Sequence, residues 1–123
     1  MRAYEFLAES NDSFADSIQA KLGLKAFVLH DRGNDIVLDS LIVGKENQGK
    51  GLGSTAMQML TAYADQAGKR IILTPGLQDK HHGTTSRTRL VKFYKQFGFK
   101  ESKGRNLDYA IGAGKMYRDP VRA

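Results

Sequence analysis

The chain of 123 residues contains no cysteine, and this absence excludes several kinds of site. It rules out a disulfide framework, a thiolate nucleophile and a zinc–thiolate centre. Apolar runs are too short to cross a bilayer, and the first ten residues, MRAYEFLAES, carry acids where a signal peptide needs an apolar block. The length suits one domain. We therefore expect a single domain over residues 1–123, soluble and cytoplasmic, with no membrane partner.

Charge is distributed unevenly along the chain, although the formal net charge is only +6. Residues 1–68 hold 6 Lys and Arg against 9 Asp and Glu, whereas residues 69–123 hold 13 against 4. The two parts therefore carry −3 and +9. A basic half is typical of proteins that bind an anionic ligand or a nucleic acid, and equally of a solvated basic surface. Composition leaves these alternatives open.

Hydrophobic periodicity predicts alternating strands and helices without an internal repeat. Asn11-Asp12-Ser13 provides an N-cap signal for the first helix, and glycines 23, 68 and 98 provide C-terminal stops. The turn DRGN (31–34) separates two β-like runs and predicts a hairpin. The predicted strands are 24–30, 35–43, 70–74, a strand entered at 97–102, and 108–118; the later helices are 52–67 and 89–97.

Three of these elements form a predicted βαβ unit. Strand 35–43, the following helix and strand 70–74 lie within 40 residues, which predicts parallel strands joined by a right-handed crossover. One face of the helix is apolar, as expected if it packs on the sheet. That face consists of Leu52, Ala56, Met59, Leu60, Tyr63 and Ala67.

The segment LIVGKENQGKGLGSTAMQML (41–60) joins the first strand of this unit to the helix. Four glycines within ten residues allow backbone amides to approach an anion at the helix N-terminus. A nucleotide-hydrolase loop fits the pattern G-x-x-x-x-G-K, but Gly51 stands where a Ser or Thr must hold magnesium, and strand 70–74 offers no acid. A dinucleotide fingerprint fails because the spacing is G-x-G-x-G.

A third interpretation comes from QGKGLG, residues 48–53, together with KFYKQFGF at 92–99. These motifs resemble the Q/R-x-x-G-x-G/A signature and the later FY and GF pairs of the GNAT superfamily of acyl-CoA N-acyltransferases. The resemblance covers roughly residues 35–102. It implies an α/β fold with a central mixed sheet, flanking helices and a short N-terminal portion. The strings KFYKQFGF and MYRDP also resemble those of compact relatives encoded by bacteriophages.

The resemblance implies acetyl-CoA as a cosubstrate and requires no metal. The pyrophosphate is expected at the glycine loop, and the pantetheine arm along the preceding strand. Arg87 stands where the family often has asparagine, so the usual amide contact to the coenzyme is not implied here, and a phosphate contact by Arg87 is expected in its place. The implied cofactor-binding residues are Leu41, Ile42, Val43, Gln48, Gly49, Lys50, Gly51, Leu52, Gly53, Ser54 and Arg87.

The implied chemistry is acetyl transfer to a primary amine by direct attack in a ternary complex. Tyr94, the tyrosine of the FY pair, is the expected acid for the leaving thiolate; a buried core aromatic is its alternative role. Asp35 and Asp39 are candidates for accepting the amine proton, since residues four apart on a strand share a face. In the family a strand bulge supplies the oxyanion N–H donor, and no sequence signal predicts a bulge here.

A different class of function stays open from sequence. The basic C-terminal half suits a nucleic-acid-facing protein, such as a tRNA-binding module or a toxin-like protein that acetylates aminoacyl-tRNA. The enzyme is favoured because the rings of KFYKQFGFK have helical spacing and are expected to be buried rather than to stack on bases. His81 and His82 lie in a polar loop, where adjacent side chains point apart. The acceptor, a small molecule or a protein, and a homodimeric state are not determined by sequence.

Overall fold

The computed structural model describes residues 14–44, 47, 49–75 and 87–121. Helix α1 covers residues 14–22 of the described part. The elements that follow are β1 (Ala26–Asp31), β2 (Asp35–Ile42), α2 (Leu52–Ala67), β3 (Arg70–Leu73), α3 (Arg87–Lys95), β4 (Lys100–Glu101), a 3₁₀ turn (Gly104–Asn106) and β5 (Met116–Arg118). The predicted alternation of strands and helices, and an α/β fold with a mixed sheet, are confirmed.

The five strands form one sheet in the order β1-β2-β3-β5-β4. The predicted hairpin is present: β1 and β2 are antiparallel, and the Asp31 carboxylate accepts a hydrogen bond from the Gly33 amide at 2.9 Å. The predicted βαβ unit is also present, because β2 and β3 pair in parallel from Asp35–Arg70 to Leu38–Leu73. The remaining pairs are antiparallel. The parallel pair places the carboxyl ends of β2 and β3 together, at the end of the sheet where α2 begins.

Helices α1 and α2 share aromatic contacts next to the sheet. Phe14 of α1 stacks on Tyr63 of α2 with ring centroids 4.2 Å apart, and lies 6.5 Å from the ring of Phe27 in β1. The predicted apolar face of α2 is rotated slightly, because Met57 is fully buried and Met59 only partly so. The buried α2 residues Ala56, Met57, Leu60 and Ala64 belong to the same core cluster as Ile36, Leu38, Leu41, Ile71 and Leu73 of the central strands.

The last predicted strand, 108–118, was too long. Only Met116–Arg118 pairs in the sheet, and residues 108–115 form turns. Gly112 and Gly114 have φ of 84° and 86°, a conformation that ends a strand. The Asp108 carboxylate accepts a hydrogen bond from the Ala110 amide at 2.9 Å, which holds the first of these turns. Predictions for Asn11-Asp12-Ser13, Gln48, His81 and His82 lie outside the described residues.

A partly buried ion pair connects α2 to the last strand. Arg118 of β5 donates to both carboxylate oxygens of Asp65, at 2.7 and 3.1 Å, and its Nε donates to the Phe97 carbonyl oxygen at 2.7 Å. The Arg118 side chain is only 10% exposed, and that of Asp65 25%. The hydrogen bond from Arg118 is the main reason that the pKa of Asp65 lies below its ordinary value. This contact holds the end of α3 and the strand β5 against α2.

Candidate functional site

The glycine loop ends in a backbone arrangement that suits an anion. Gly49 and Gly51 have φ of 85° and 75°, and no atom lies within 4 Å of a Cβ placed on either residue. The glycines are therefore required by the backbone conformation and leave open space in front of it. Gly51 is the N-cap of α2 and provides no side-chain cap, so the first amides of the helix point outward without one.

A shallow pocket of about 220 Å³ opens at this loop. The predicted residues Val43, Gly49, Gly51, Leu52, Gly53 and Ser54 line it together with Asn47 and Phe93, which sequence reasoning did not single out.

Two contacts fix the walls of this pocket. A Cβ on Gly53 would lie 3.6 Å from Phe93 Cζ, so a small residue here lets α3 approach the start of α2. Asn47 donates from Nδ2 to the Gly23 carbonyl oxygen at 3.3 Å and accepts from Lys50 Nζ at 3.3 Å. Asn47 thus ties the loop to the end of α1 and holds the Lys50 ammonium beside the pocket. The single asparagine has no signature in sequence, because its partner Gly23 is 24 residues away.

Gly51→Ala is expected to weaken acetyl-CoA binding at least tenfold. An alanine is strained at φ of 75°, and relief of that strain should shift the N-cap backbone that positions the first amides of α2, at a cost in charge-assisted hydrogen bonds to the anion. Gly68→Ala is the matched control, because Gly68 has φ of 69° at the other end of the same helix. Both variants should lose about 1 kcal/mol of stability; equal coenzyme affinity in the two, measured by calorimetric titration, would contradict the role of the loop.

Strand β2 continues past its neighbour, since every residue of β3 is paired with β2 and β3 ends at Leu73. Their described pairing stops at Leu38 and Leu73, whereas β2 continues to Ile42. On the other side of β2, the register with β1 shifts between Val28–Ser40 and Leu29–Leu38, which leaves Asp39 as the extra residue of a β-bulge. The bulge moves the buried positions of β2 from Ile36 and Leu38 to Leu41. The β-bulge, which sequence did not reveal, therefore lies directly after the last β2–β3 pair.

A second cavity, of about 110 Å³, lies at the end of the β2–β3 pairing. Its floor is formed by Val37 and Leu38 of β2 and by Ile72 and Leu73 of β3. Four polar side chains complete its lining: Arg32, Asp39, Thr74 and Lys115. The loop pocket and this cavity therefore lie at opposite ends of residues 39–43.

The two candidate proton acceptors occupy different places. Asp39 lines the cavity at the bulge, and its carboxylate lies 3.7 Å from His30 Nε2, with both side chains more than half exposed. Asp35 begins β2, at the closed end where β2 and β3 are paired. Four residues of extended strand separate them by about 13 Å. Sequence did not single out His30. This residue of β1 pairs with Val37 of β2, and only the strand register reveals that position.

Tyr94 lies on the inner face of α3 and is 4% exposed. Its ring packs edge-on against Phe93 and Phe99, with centroids 5.2 and 5.8 Å apart. Phe93 in turn lines the glycine-loop pocket. The helix thus brings the FY pair to the site, with the phenylalanine at the pocket wall and the tyrosine behind it.

Arg87, at the start of α3, points toward the C-terminal turns. Its guanidinium donates to the Gly114 carbonyl oxygen at 3.2 Å and lies 3.8 Å from the Glu101 carboxylate. It does not line the glycine-loop pocket. A phosphate contact by Arg87 remains a prediction.

The basic half of the chain is partly neutralised around one carboxylate. Glu101 lies 3.3 Å from Lys95, 3.6 Å from Lys103 and 3.8 Å from Arg87. In the KFYKQFGFK segment Tyr94 and Phe99 are buried as predicted, whereas Phe93 and Phe97 are half-buried against the core. None of these four rings is fully exposed, as base stacking would require.

Two further classes of feature are absent from the residues that the structure describes. Within 14–44, 47, 49–75 and 87–121, no cluster of three or more His, Cys, Asp or Glu side chains is arranged to hold a metal ion. In the same residues, no helix has both the length and the apolar character needed to cross a membrane.

The family model of the acetyltransferase (GNAT) family matches residues 4–99. No curated protein matches the chain. Among solved structures, the anti-CRISPR protein AcrVA5 is similar, with 21% identity, a TM-score of 0.55, and coverage of 74% of this chain and 85% of that one. At this level of identity, the similarity shows that the two chains share a fold.

Two other solved structures are similar over part of their length. One, from Corynebacterium glutamicum ATCC 13032, is described as histone acetyltransferase HPA2 and related acetyltransferase, with 20% identity over 88% of this chain and a TM-score of 0.49. The other is the AtaT toxin bound to the C-terminus of the antitoxin AtaR and acetyl-CoA, with 16% identity over 76% and a TM-score of 0.41. The chain spans 54% of the length of each.

Proposed function

Because the chain belongs to the GNAT acetyltransferase family, we propose that it transfers the acetyl group of acetyl-CoA directly to a primary amine within a ternary complex. Acetyl-CoA-dependent N-acetyl transfer is the activity of the family; the amine class and the direct attack are the proposal. One observation carries it: the last part of β2 leads from the glycine-loop pocket to a cavity at the end of the β2–β3 pairing.

The dimensions of this path support a coenzyme arm along β2. Residues 39 and 43 lie about 13 Å apart along an extended chain, which suits a pantetheine arm between the loop pocket and the cavity. An extended ligand beside a strand is held by backbone hydrogen bonds, as in strand addition. Leu41 and Ile42 are the residues proposed to make them, with Val43 at the mouth of the loop pocket.

The residues of the loop fit a pyrophosphate. Positive φ at Gly49 and Gly51 exposes backbone amides without side chains in front of them. The N-terminus of α2 adds a partial positive charge, and the nearby Lys50 adds a full one. Gln48 and Ser54 are proposed to add polar contacts at the same loop. None of these contacts requires a metal ion.

The amine must lose a proton before it can attack. With a pKa near 10, about one amine in a thousand is neutral at pH 7. We assign proton acceptance to Asp39, directly or through water, because its side chain lines the cavity at the end of the β2–β3 pairing. His30, whose Nε2 lies 3.7 Å from the Asp39 carboxylate, is a second candidate acceptor. Asp35 remains a weaker candidate, since it lies at the closed end of the β2–β3 pair.

The acetyl group then passes from sulfur to nitrogen. The amine lone pair forms the new C–N bond while the C–S bond breaks, and its electron pair stays on sulfur. A backbone amide freed by the bulge at Asp39 is proposed to stabilise the oxyanion. Tyr94 is proposed to give a proton to the sulfur. A thiol is a stronger acid than a phenol by only about one to two pKa units, so this proton transfer is readily reversible.

The proposal is tested by ligand-dependent unfolding and by initial-rate kinetics. Acetyl-CoA at about one hundred times its Kd should raise the unfolding midpoint by about 10 °C, because a ligand bound only to the folded form stabilises it. Stabilisation by ATP with magnesium and none by acetyl-CoA would contradict the assignment. With an amine acceptor, direct attack gives intersecting double-reciprocal plots, whereas parallel plots would indicate an acetylated enzyme and oppose a ternary complex.

A further inference from the structure

The cavity at the end of the β2–β3 pairing has more positive than negative charge in its lining. Arg32 follows β1, and Lys115 immediately precedes β5, so two distant segments bring cations to one small space. Asp39 is the single acid among the lining residues, and it faces His30. The carboxylate of Asp39, which can accept a proton from an amine, therefore shares the cavity with the cations of Arg32 and Lys115.

Neither cation is neutralised within the part of the chain that the structure describes. The ion pairs of residues 14–44, 47, 49–75 and 87–121 engage neither Arg32 nor Lys115. Lys115 is half-buried, whereas Arg32 is exposed at the mouth. The floor below them consists of apolar residues, of which Leu38, Ile72 and Leu73 are buried in the sheet. Such a floor lowers the local dielectric and strengthens a contact between these cations and an anion.

The size of the cavity limits the group that it accepts. A volume of about 110 Å³ is smaller than the 150 Å³ or so that holds a benzene ring. It suits an aminoalkyl chain with a single compact anionic group, while the rest of a larger molecule would have to project into solvent. A small zwitterion fits the charge pattern and the volume together.

We propose that the acceptor is a small primary amine that carries a carboxylate or phosphate close to the nitrogen, with its anion held by Arg32 and Lys115 and its amine directed to Asp39. This inference rests on the proposed function, since it specifies the acceptor of the same transfer. The amine nitrogen forms the C–N bond and loses its proton toward Asp39; the anionic group takes no part in bond changes and sets orientation only.

The test compares acceptors that share an aminoalkyl group and differ in charge, with thiol release from acetyl-CoA as the readout. β-Alanine is paired with β-alaninamide, and O-phosphoethanolamine with ethanolamine, so the two pairs distinguish carboxylate from phosphate; putrescine represents a cationic acceptor. We expect kcat/KM to be at least about tenfold higher for an anionic member than for its neutral partner. The anion also raises the pKa of its own amine, so intrinsic reactivity does not favour this outcome.

Variants assign the effect to the two side chains. Arg32→Gln and Lys115→Gln should each raise KM for the preferred anionic acceptor about tenfold, with a smaller change in kcat, while stabilisation by acetyl-CoA stays unchanged. Lys103→Gln is the control, because this lysine is 71% exposed and lies outside the cavity. If a protein that carries both substitutions, Arg32→Gln and Lys115→Gln, still prefers the anionic acceptor to its neutral partner, the assignment of the anion to these two side chains is overturned.

The outcomes separate this inference from the function on which it rests. Preference for a neutral or cationic amine, or no turnover of any anionic member despite stabilisation by acetyl-CoA, overturns the acceptor class and leaves acetyl transfer in place. Absence of any effect of acetyl-CoA on unfolding overturns both.

Discussion

Tyr94→Phe is expected to lower kcat about 100-fold and to leave the KM for acetyl-CoA nearly unchanged. The substitution removes only the hydroxyl, so the ring contacts with Phe93 and Phe99 persist. If that hydroxyl protonates the departing sulfur, its loss removes a contribution made in the transition state and not in the bound ground state. Thiol release under saturating substrates measures the change.

A matched tyrosine distinguishes catalysis from packing. Tyr117 of β5 donates its hydroxyl to the Asn106 carbonyl oxygen at 2.9 Å, away from the glycine loop. Tyr117→Phe should cost about 1 kcal/mol of stability and leave kcat unchanged. Turnover by Tyr94→Phe at the rate of the unaltered protein would remove Tyr94 from the mechanism and leave it as a core aromatic.

Arg118→Met is expected to reduce the free energy of unfolding by about 3 kcal/mol, the largest loss of stability among the changes considered. The substitution leaves the Asp65 carboxylate and the Phe97 carbonyl oxygen without the guanidinium that they share. Removing one partner of a buried pair strands the other, and 3 kcal/mol lies at the low end of such losses because Asp65 remains a quarter exposed. Urea unfolding measures the difference.

The acid dependence of stability provides a second readout of this pair. The folded pKa of Asp65 is lowered from its ordinary value of 3.8, chiefly by the hydrogen bond from Arg118. Its contribution is therefore fully present above that value and is lost as the pH falls through the folded pKa. Arg118→Met should flatten the stability curve in this acidic range. Lys103→Met, at a 71% exposed lysine, should change the free energy of unfolding at neutral pH by no more than about 0.5 kcal/mol; an equal loss in both variants would contradict the specific role of Arg118.

The features that sequence predicted well are those set by neighbouring residues. The hairpin at DRGN follows from a turn residue and its own side-chain hydrogen bond, and Gly68 ends α2 because its φ of 69° favours glycine. Local glycine content likewise predicted a tight loop before α2, where Gly49 and Gly51 take positive φ. The prediction failed where local pattern and tertiary pairing disagree: residues 108–115 were predicted as part of the last strand but turn at Gly112 and Gly114.

The sequence by itself determined the family, the alternation of elements and the loop that suits a pyrophosphate, since each depends on backbone chemistry within a short window. Only the tertiary structure decided what surrounds the reacting atoms. The bulge at Asp39 depends on the register of two strands, and the cavity gathers Arg32 and Lys115 from opposite ends of the chain. Register and long-range proximity arise from packing of the whole sheet, and no single segment encodes them.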